Sequence, residues 1–279
     1  MIKFKWRRPV PEITYILPGQ DTNPPNLKNG YHLACGLGAR EVFMEIILIT
    51  GANRGIGLAL TKVLLASGDT VIAACRKPEE SSELKQLTLL HPETIDLVKC
   101  TVDREEEMVE AAAASRKRRQ KLDVIVNNAG IMPEHGNESI LTIDLELFRQ
   151  AFDTNTLGAV RVIRAFYPML AQSERPRILN VSSGLGSVST KDDHGYYAYS
   201  ISKAALNILT RMIAHEFAPS GVITVAISPG WVRTDMGGEE AQLSPEESAQ
   251  SLAEAIKRIR PELNGHFLDR DGRIGEYPW

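Results

Sequence analysis

What most constrains this chain is a rhythm. Six short, largely apolar runs, at 46–50, 70–75, 95–100, 122–126, 177–181 and 222–227, are rich in Ile, Val and Leu. Between them lie 58–66, 83–90, 105–118, 144–170 and 199–218, longer stretches of helix-forming composition. The last carries apolar residues at Ala205, Ile208, Leu209, Met212 and Ile213. A strand wet on one face alternates apolar with polar residues, whereas near-continuous runs belong to strands covered on both faces. Parallel neighbours need a crossover, and a helix after each strand supplies one. The predicted fold class is therefore α/β, a single-domain doubly wound parallel sheet with helices on both faces. In such a sheet a ligand sits outside the carboxyl ends of the strands.

The first of those ends is the most informative. Ile46 to Thr50 runs into Gly51-Ala52-Asn53-Arg54-Gly55-Ile56-Gly57 and then into a helix. The first N–H groups of a helix lack intrahelical partners and carry the positive end of its dipole, so the turn is an anion site. Glycines let the backbone turn and let a pyrophosphate approach without a Cβ in the way. The spacing is G-x-x-x-G-x-G rather than G-x-G-x-x-G, so the likeness to the dinucleotide fingerprint is one of mechanics.

Residues 1–43 lack the rhythm. Pro9, Pro11, Pro18, Pro24 and Pro25 interrupt any helix, and Lys3, Lys5, Arg7 and Arg8 precede no apolar core such as a signal peptide needs. A poorly ordered N-terminal extension is expected there, with the dinucleotide-binding domain and its substrate site in 44–279. Because Met44 directly precedes the first strand, an over-extended gene model is a working hypothesis. N-terminal mass spectrometry that recovers residues 1–43 refutes it.

A formal net charge of −3 gives no global basic field for nucleic acid or an anionic membrane, which points to a small-molecule partner. The basic run Arg116 to Arg119 ends a predicted helix, where cations suit the dipole. Cys35, Cys75 and Cys100 have neither metal-ligand spacing nor an even count, which favours a reducing, cytoplasmic setting. No apolar run approaches the roughly 18–20 residues that span a bilayer, and a soluble protein is expected.

The strand ends carry the glycine turn, Arg76, Asn127-Asn128-Ala129-Gly130, Ser182-Ser183-Gly184 and Pro229-Gly230. Tyr199 and Lys203, four apart on a predicted helix, share one face beside them. A phenol of pKa about 10 is a poor proton exchanger near neutrality, and bringing it to about 7 takes roughly 4 kcal/mol. One ammonium about 4 Å away, at an effective dielectric of about 20, supplies about that much. A Ser183 hydroxyl could hold a substrate oxygen against the phenol, or Ser182 and Ser183 could simply bond a turn's backbone. The absence of a G-x-S-x-G elbow disfavours hydrolysis.

Taken in order, the glycine turn, Asn-Asn-Ala-Gly, Asn155, Ser-Ser-Gly, Tyr199-x-x-x-Lys203 and Pro229-Gly230-x-x-x-Thr234 resemble the short-chain dehydrogenase/reductase family over about residues 45–279. The Thr-Gly-Ala-Asn-Arg-Gly-Ile-Gly turn and the ending from Pro229 through Trp279 are similar to the branch with sniffer-type carbonyl reductases and C-factor-like proteins. The resemblance implies a Rossmann-like oxidoreductase that moves a hydride between a nicotinamide and a carbonyl or secondary alcohol. Tyr199 would be the acid/base, Lys203 would lower its pKa and hold the nicotinamide ribose, Ser183 would orient the carbonyl, and Asn155 would position a water in the proton relay. Cofactor contacts would come from Gly51, Asn53, Arg54, Gly55, Ile56 and Gly57, from Asn128, Ala129 and Gly130 on the adenosine side, from Pro229, Gly230 and Val232, and from Thr234 at the nicotinamide carboxamide. No metal is implied.

An acid at the end of the second strand would repel a 2′-phosphate, but Cys75, Arg76 and Lys77 stand there and Arg54 adds a cation, so NADP(H) is expected over NAD(H). Thr101 takes the place of an aspartate that many relatives use toward the adenine, with Asp103 two residues on. Only about ten residues separate Thr234 from a helix starting near Ser244, a short lid over a modest carbonyl or alcohol. Trp231 and Met236 are either its walls or core. Relatives pair the 144–170 and 199–218 helices between subunits, which implies a homodimer or homotetramer. Two other readings are a catalytically silent nucleotide sensor, against which the intact relay counts, and an epimerase or dehydratase, against which the short chain counts.

Overall fold

The computed structural model describes residues 44–275, 277 and 279. The expected extension at 1–43 lies outside the described residues. In chain order the elements are β1 (Ile46–Thr50), α1 (Gly55–Ala66), β2 (Thr70–Cys75), α2 (Ser82–Leu90), β3 (Ile95–Lys99), α3 (Glu105–Arg118) and β4 (Val124–Asn127). They continue with α4 (Leu145–Phe152), α5 (Gly158–Leu170), β5 (Arg177–Val181), α6 (Tyr197–Phe217), β6 (Ile223–Ile227), α7 (Pro245–Arg258) and β7 (Phe267–Leu268). The seven strands form one parallel sheet in the order β3-β2-β1-β4-β5-β6-β7. Between β1 and β4 the order reverses, and that is where the glycine turn and Asn128 meet.

The apolar runs divide by parity. Ile47 and Ile49 of β1 face one layer, with Leu60 and Leu64 of α1 and Leu252 and Ile256 of α7. Leu48 faces the other, with Met108 of α3, Phe166 of α5 and Ile213 of α6. Each side chain of this size that is fully removed from water stabilises by about 1.5–3 kcal/mol. Both faces are covered, which is why these strands read as near-continuous apolar runs. The basic end of α3 is tied down, with Arg118 and Arg119 pairing with Asp96 of β3 at 2.7 Å each.

Two features depart from the expected pattern. The helix expected over 144–170 is interrupted by a π-helical turn, Asp153–Leu157, which separates α4 from α5 and holds Asn155. Wide turns of this kind recur at functional sites. The edge strand β7 has only two residues, too few for any periodicity to reveal. Near 244 the expectation holds, since Ser244 and Glu247 form a reciprocal capping box at the start of α7.

At the amino ends of the strands, away from the glycine turn, lies a buried ion pair. Arg177, 1% exposed, pairs with Glu45 and donates to the carbonyls of Ile256 (3.0 Å) and Arg175 (3.1 Å). Among the described residues no helix is long and apolar enough to cross a membrane.

Candidate active site

The carboxyl ends of the strands open into a cleft of about 790 Å³. Gly51, Asn53, Arg54, Gly55, Ile56, Gly57, Arg76, Asn128, Ala129, Gly130, Tyr199, Lys203, Pro229 and Thr234 line it, as do Thr101 and Asp103. Asn155, Ser183, Gly230 and Val232 are not among the residues that line it.

Helix α1 points its first turn into this space. Arg54 at its N-cap makes no side-chain cap and the first turn holds no acid, so the leading N–H groups face the cleft. The turn is tight enough to dictate glycine. A Cβ on Gly57 would fall 2.3 Å from Gly51 O and 2.6 Å from Asn128 Nδ2, and Gly51 itself has φ 68. Asn128 clamps the turn to β4, its amide donating to Thr50 O (2.9 Å) while Thr50 Oγ1 accepts the N–H groups of Asn128 and Ala129 (3.1 and 3.0 Å).

The two expected cations differ in their surroundings. Arg76 has no salt-bridge partner among the described residues and lines the cleft at the end of β2. Arg54 instead reaches across to the segment after β6 and pairs with Asp235, both side chains being largely exposed. The Thr101 hydroxyl is engaged with the Glu107 carboxylate and helps hold that group below its usual range.

Lys203 is 4% exposed, donates from Nζ to Val181 O at 2.8 Å and lies 5.7 Å from the centre of the Tyr199 ring. Burial lowers its pKa to about 8. The Tyr199 phenol moves opposite to the sequence-based expectation. Burial pushes it up, a hydrogen bond with Ser183 pulls it down, and the charge of Glu134 pushes it up again. The lysine ammonium is engaged with the Val181 carbonyl and is not among the groups that shift the phenol, so desolvation wins.

Ser183 bonds the backbone of a turn, one of the two roles considered for it, and is also bonded to the phenol. Its Oγ accepts the N–H of Leu185 at 3.2 Å, capping a short turn, and it hydrogen-bonds Tyr199. Ser182 is structural, donating to Asn207 Oδ1 at 2.6 Å in the interior. Asn155 is 2% exposed and lies within the π-helical turn. Its Oδ1 accepts from Ile131 N (2.8 Å), and its Nδ2 donates to Ile131 O (2.8 Å) and Ser202 Oγ (2.9 Å). A Cβ on Gly130 would lie 3.1 Å from Asn155 Oδ1 and 3.5 Å from Lys203 Nζ, so these three residues are immediate neighbours.

Thr234 bends over the glycine turn, its Cγ2 3.2 Å from where a Gly55 Cβ would sit. Trp231 and Met236 are 53% and 39% exposed, which removes core packing as their role, and Met236 lines the cleft. Three further features are not legible in the sequence. Tyr277 packs its ring on Gly184, where a Cβ would meet it at 2.7 Å, and stacks on Phe267. The Trp279 main-chain oxygen accepts from Ser189 Oγ at 3.1 Å. Inside the sheet, Asn127 donates to Asn180 and Asn180 to Thr210, both at 2.8 Å, tying β4, β5 and α6 together below the cleft. Among the described residues no three His, Cys, Asp or Glu side chains cluster as a metal site.

The geometry offers a proton donor, a nearby cation and an uncapped helix start in one cleft, with a hydroxyl bonded to the donor, which suits proton-coupled chemistry on an oxygen beside a phosphorylated ligand. The short chain dehydrogenase family profile matches residues 45–244. The C-signal protein of Myxococcus xanthus is 39% identical over 159 residues, covering 57% of this chain and 93% of that protein. Among solved structures, the carbonyl reductase Sniffer of D. melanogaster superposes with a TM-score of 0.79 at 32% identity, covering 83% of this chain and 99% of the other. The NADPH-bound carbonyl reductase from chicken fatty liver superposes at 0.77 and 30% identity, covering 84% and 99%.

Proposed function

The chain belongs to the short-chain dehydrogenase family, and from that premise we propose that it is an NADP(H)-dependent carbonyl reductase or secondary-alcohol dehydrogenase with Tyr199 as general acid/base. The observation that carries the reading is that Tyr199, bonded to Ser183, opens into the same cleft as the uncapped start of α1. The fit to a nicotinamide dinucleotide rests on that open helix start and on a turn whose glycines leave no Cβ over it. When bound, the nicotinamide supplies a hydride to a carbonyl carbon or takes one from an alcohol.

The chain's own residues do the rest. The Tyr199 phenol gives its proton to the carbonyl oxygen, and the Ser183 hydroxyl donates a hydrogen bond to that same oxygen and fixes its direction. Lys203 would offset the phenolate charge left behind and would hold the ribose of a bound nicotinamide. Asn155 fixes Ile131 on the cleft wall and positions a water for the proton's return. Free thiols at Cys75 and Cys100 suit a reducing, cytoplasmic setting. A homodimer or homotetramer would cover exposed Phe152, Ile201, Ile208 and Met212 on α4 and α6.

NADPH consumption against a panel of ketones, aldehydes and quinones is the direct test. Turnover on at least one class is expected, whereas NADPH binding with no turnover on any would favour a silent sensor. Two expectations concern the cofactor. Arg76→Ala should weaken NADPH binding by tenfold to about a hundredfold, the worth of one charge-assisted hydrogen bond of about 1.5–3 kcal/mol, and leave NADH nearly unchanged. Equal affinity of the parent protein for the two cofactors would sink this assignment.

The second expectation follows from Lys203, whose ammonium is charged below about 8 and neutral above it. NADPH affinity should fall as pH rises through about 8, because only the protonated form favours the anionic ligand. Lys203→Met should bind more weakly and lose that dependence. Calorimetric titration between pH 6 and about pH 10 reads both, and a parallel profile in the variant would assign the pH effect elsewhere.

A further inference from the structure

Glu134 sits on the irregular segment between β4 and α4, yet it is 3% exposed. Its Oε1 accepts the main-chain N–H of Tyr199 at 2.6 Å. Its Oε2 is also buried and has no hydrogen-bond partner among the described residues. A carboxylate held this way is costly, so its place needs a reason.

The reason lies at the start of α6. Its N-cap, Tyr196, has φ 48, a left-handed conformation rare outside glycine, and offers no side-chain cap. The N–H of Tyr199, third residue of the helix, would otherwise be an orphan. Glu134 does from a distant segment what a Ser or Asp cap does locally, at the positive end of the helix dipole. The two pieces interlock: a Cβ on Gly136 would fall 2.4 Å from the Tyr196 ring, and one on Gly195 would fall 2.4 Å from Gly136 O.

Resting on the reading of Tyr199 as proton donor, we infer that Glu134 is a positioning residue for that reaction. It caps the helix that carries the phenol, and its charge keeps the proton on Tyr199, biasing the site toward carbonyl reduction. A phenolate would have to form near a carboxylate already in place, which disfavours it. The phenol responds in that direction, with Glu134 adding to burial against the pull of Ser183.

The other groups around the phenol are Lys203 one turn along α6 and Ser183 at the end of β5. In the Glu134 segment, His135 is exposed and Glu138 accepts the N–H groups of His135 and Gly136. Before α6, Asp192, Asp193 and His194 are exposed, and Lys191 pairs with Asp193. In the reduction the phenol O–H bond breaks and its proton goes to the carbonyl oxygen as a hydride reaches the carbon, so no further reductant is needed.

Glu134→Gln keeps an acceptor at Tyr199 N and removes the charge. The ultraviolet phenolate titration of the parent minus that of Tyr199→Phe isolates Tyr199 without cofactor or substrate. In the Glu134→Gln background this transition should move down by roughly 0.5–1 pH unit. The ratio of alcohol oxidation to carbonyl reduction near neutrality should rise about three- to tenfold. Glu134→Asp, which retains the charge, should titrate near the parent, whereas a merely structural role would not separate Gln from Asp. Superimposed titrations of the parent and Glu134→Gln overturn the inference. If the parent titrations behave as expected but Tyr199→Phe turns over at the parent rate, the proton-donor reading fails instead.

Discussion

Tyr199→Phe is expected to lose about 10²- to 10⁴-fold in turnover while binding NADPH with nearly unchanged affinity. The substitution removes one oxygen and leaves the ring. Its packing in the cleft and its approach to Lys203 at 5.7 Å therefore survive, and the change isolates the proton. Because burial holds the phenol up, the parent enters the reaction with its proton in place, and a phenylalanine leaves only solvent to deliver one. The loss should appear in kcat rather than in the cofactor's dissociation constant, measured by nicotinamide fluorescence beside steady-state rates. Equal turnover in the two proteins would eliminate Tyr199 as the donor.

Glu45→Ala should destabilise the fold by about 3–5 kcal/mol, because it strands the Arg177 guanidinium, 1% exposed, in the interior. For a domain of this size that is a fall of roughly 10 °C in Tm. Two carbonyl acceptors remain for Arg177, those of Ile256 and Arg175, and they cannot neutralise the charge. A double variant, Glu45→Met with Arg177→Met, should recover most of the loss, since a buried ion pair replaced whole by apolar groups is often neutral. Calorimetry of the three proteins decides. The pair lies at the amino ends of the strands, so cofactor affinity below the transition should not change. A Tm for Glu45→Ala within about 2 °C of the parent would mean the pair is solvated.

How much was legible follows from range along the chain. The six longer strands and the site order are written in local patterns: apolar runs mark strands buried on both faces, and Tyr199 with Lys203 is a spacing within one helix. The two-residue β7 has no pattern to read, and the π-helical turn at Asp153–Leu157 looks locally like ordinary helix. Glu134 and Tyr199 are 65 positions apart, and Tyr277 reaches Gly184 only through tertiary folding. The direction of the Tyr199 shift is not legible in the sequence for a related reason. Four residues of spacing fix a helix face, but whether the ammonium meets the phenol oxygen or a carbonyl such as Val181 O depends on depth, which spacing does not encode.

The bridge from Arg54 to Asp235 spans the mouth between the glycine turn and the segment after β6, with both side chains largely in solvent. Such a bridge is worth only about 0–1 kcal/mol and weakens as salt is added. A guanidinium already occupied by an aspartate must surrender it before greeting a phosphate. On the NADP(H) reading proposed above, its net leverage over which nucleotide enters would be a difference between two similar attractions, and the discrimination would fall mostly to Arg76, which has no salt-bridge partner among the described residues.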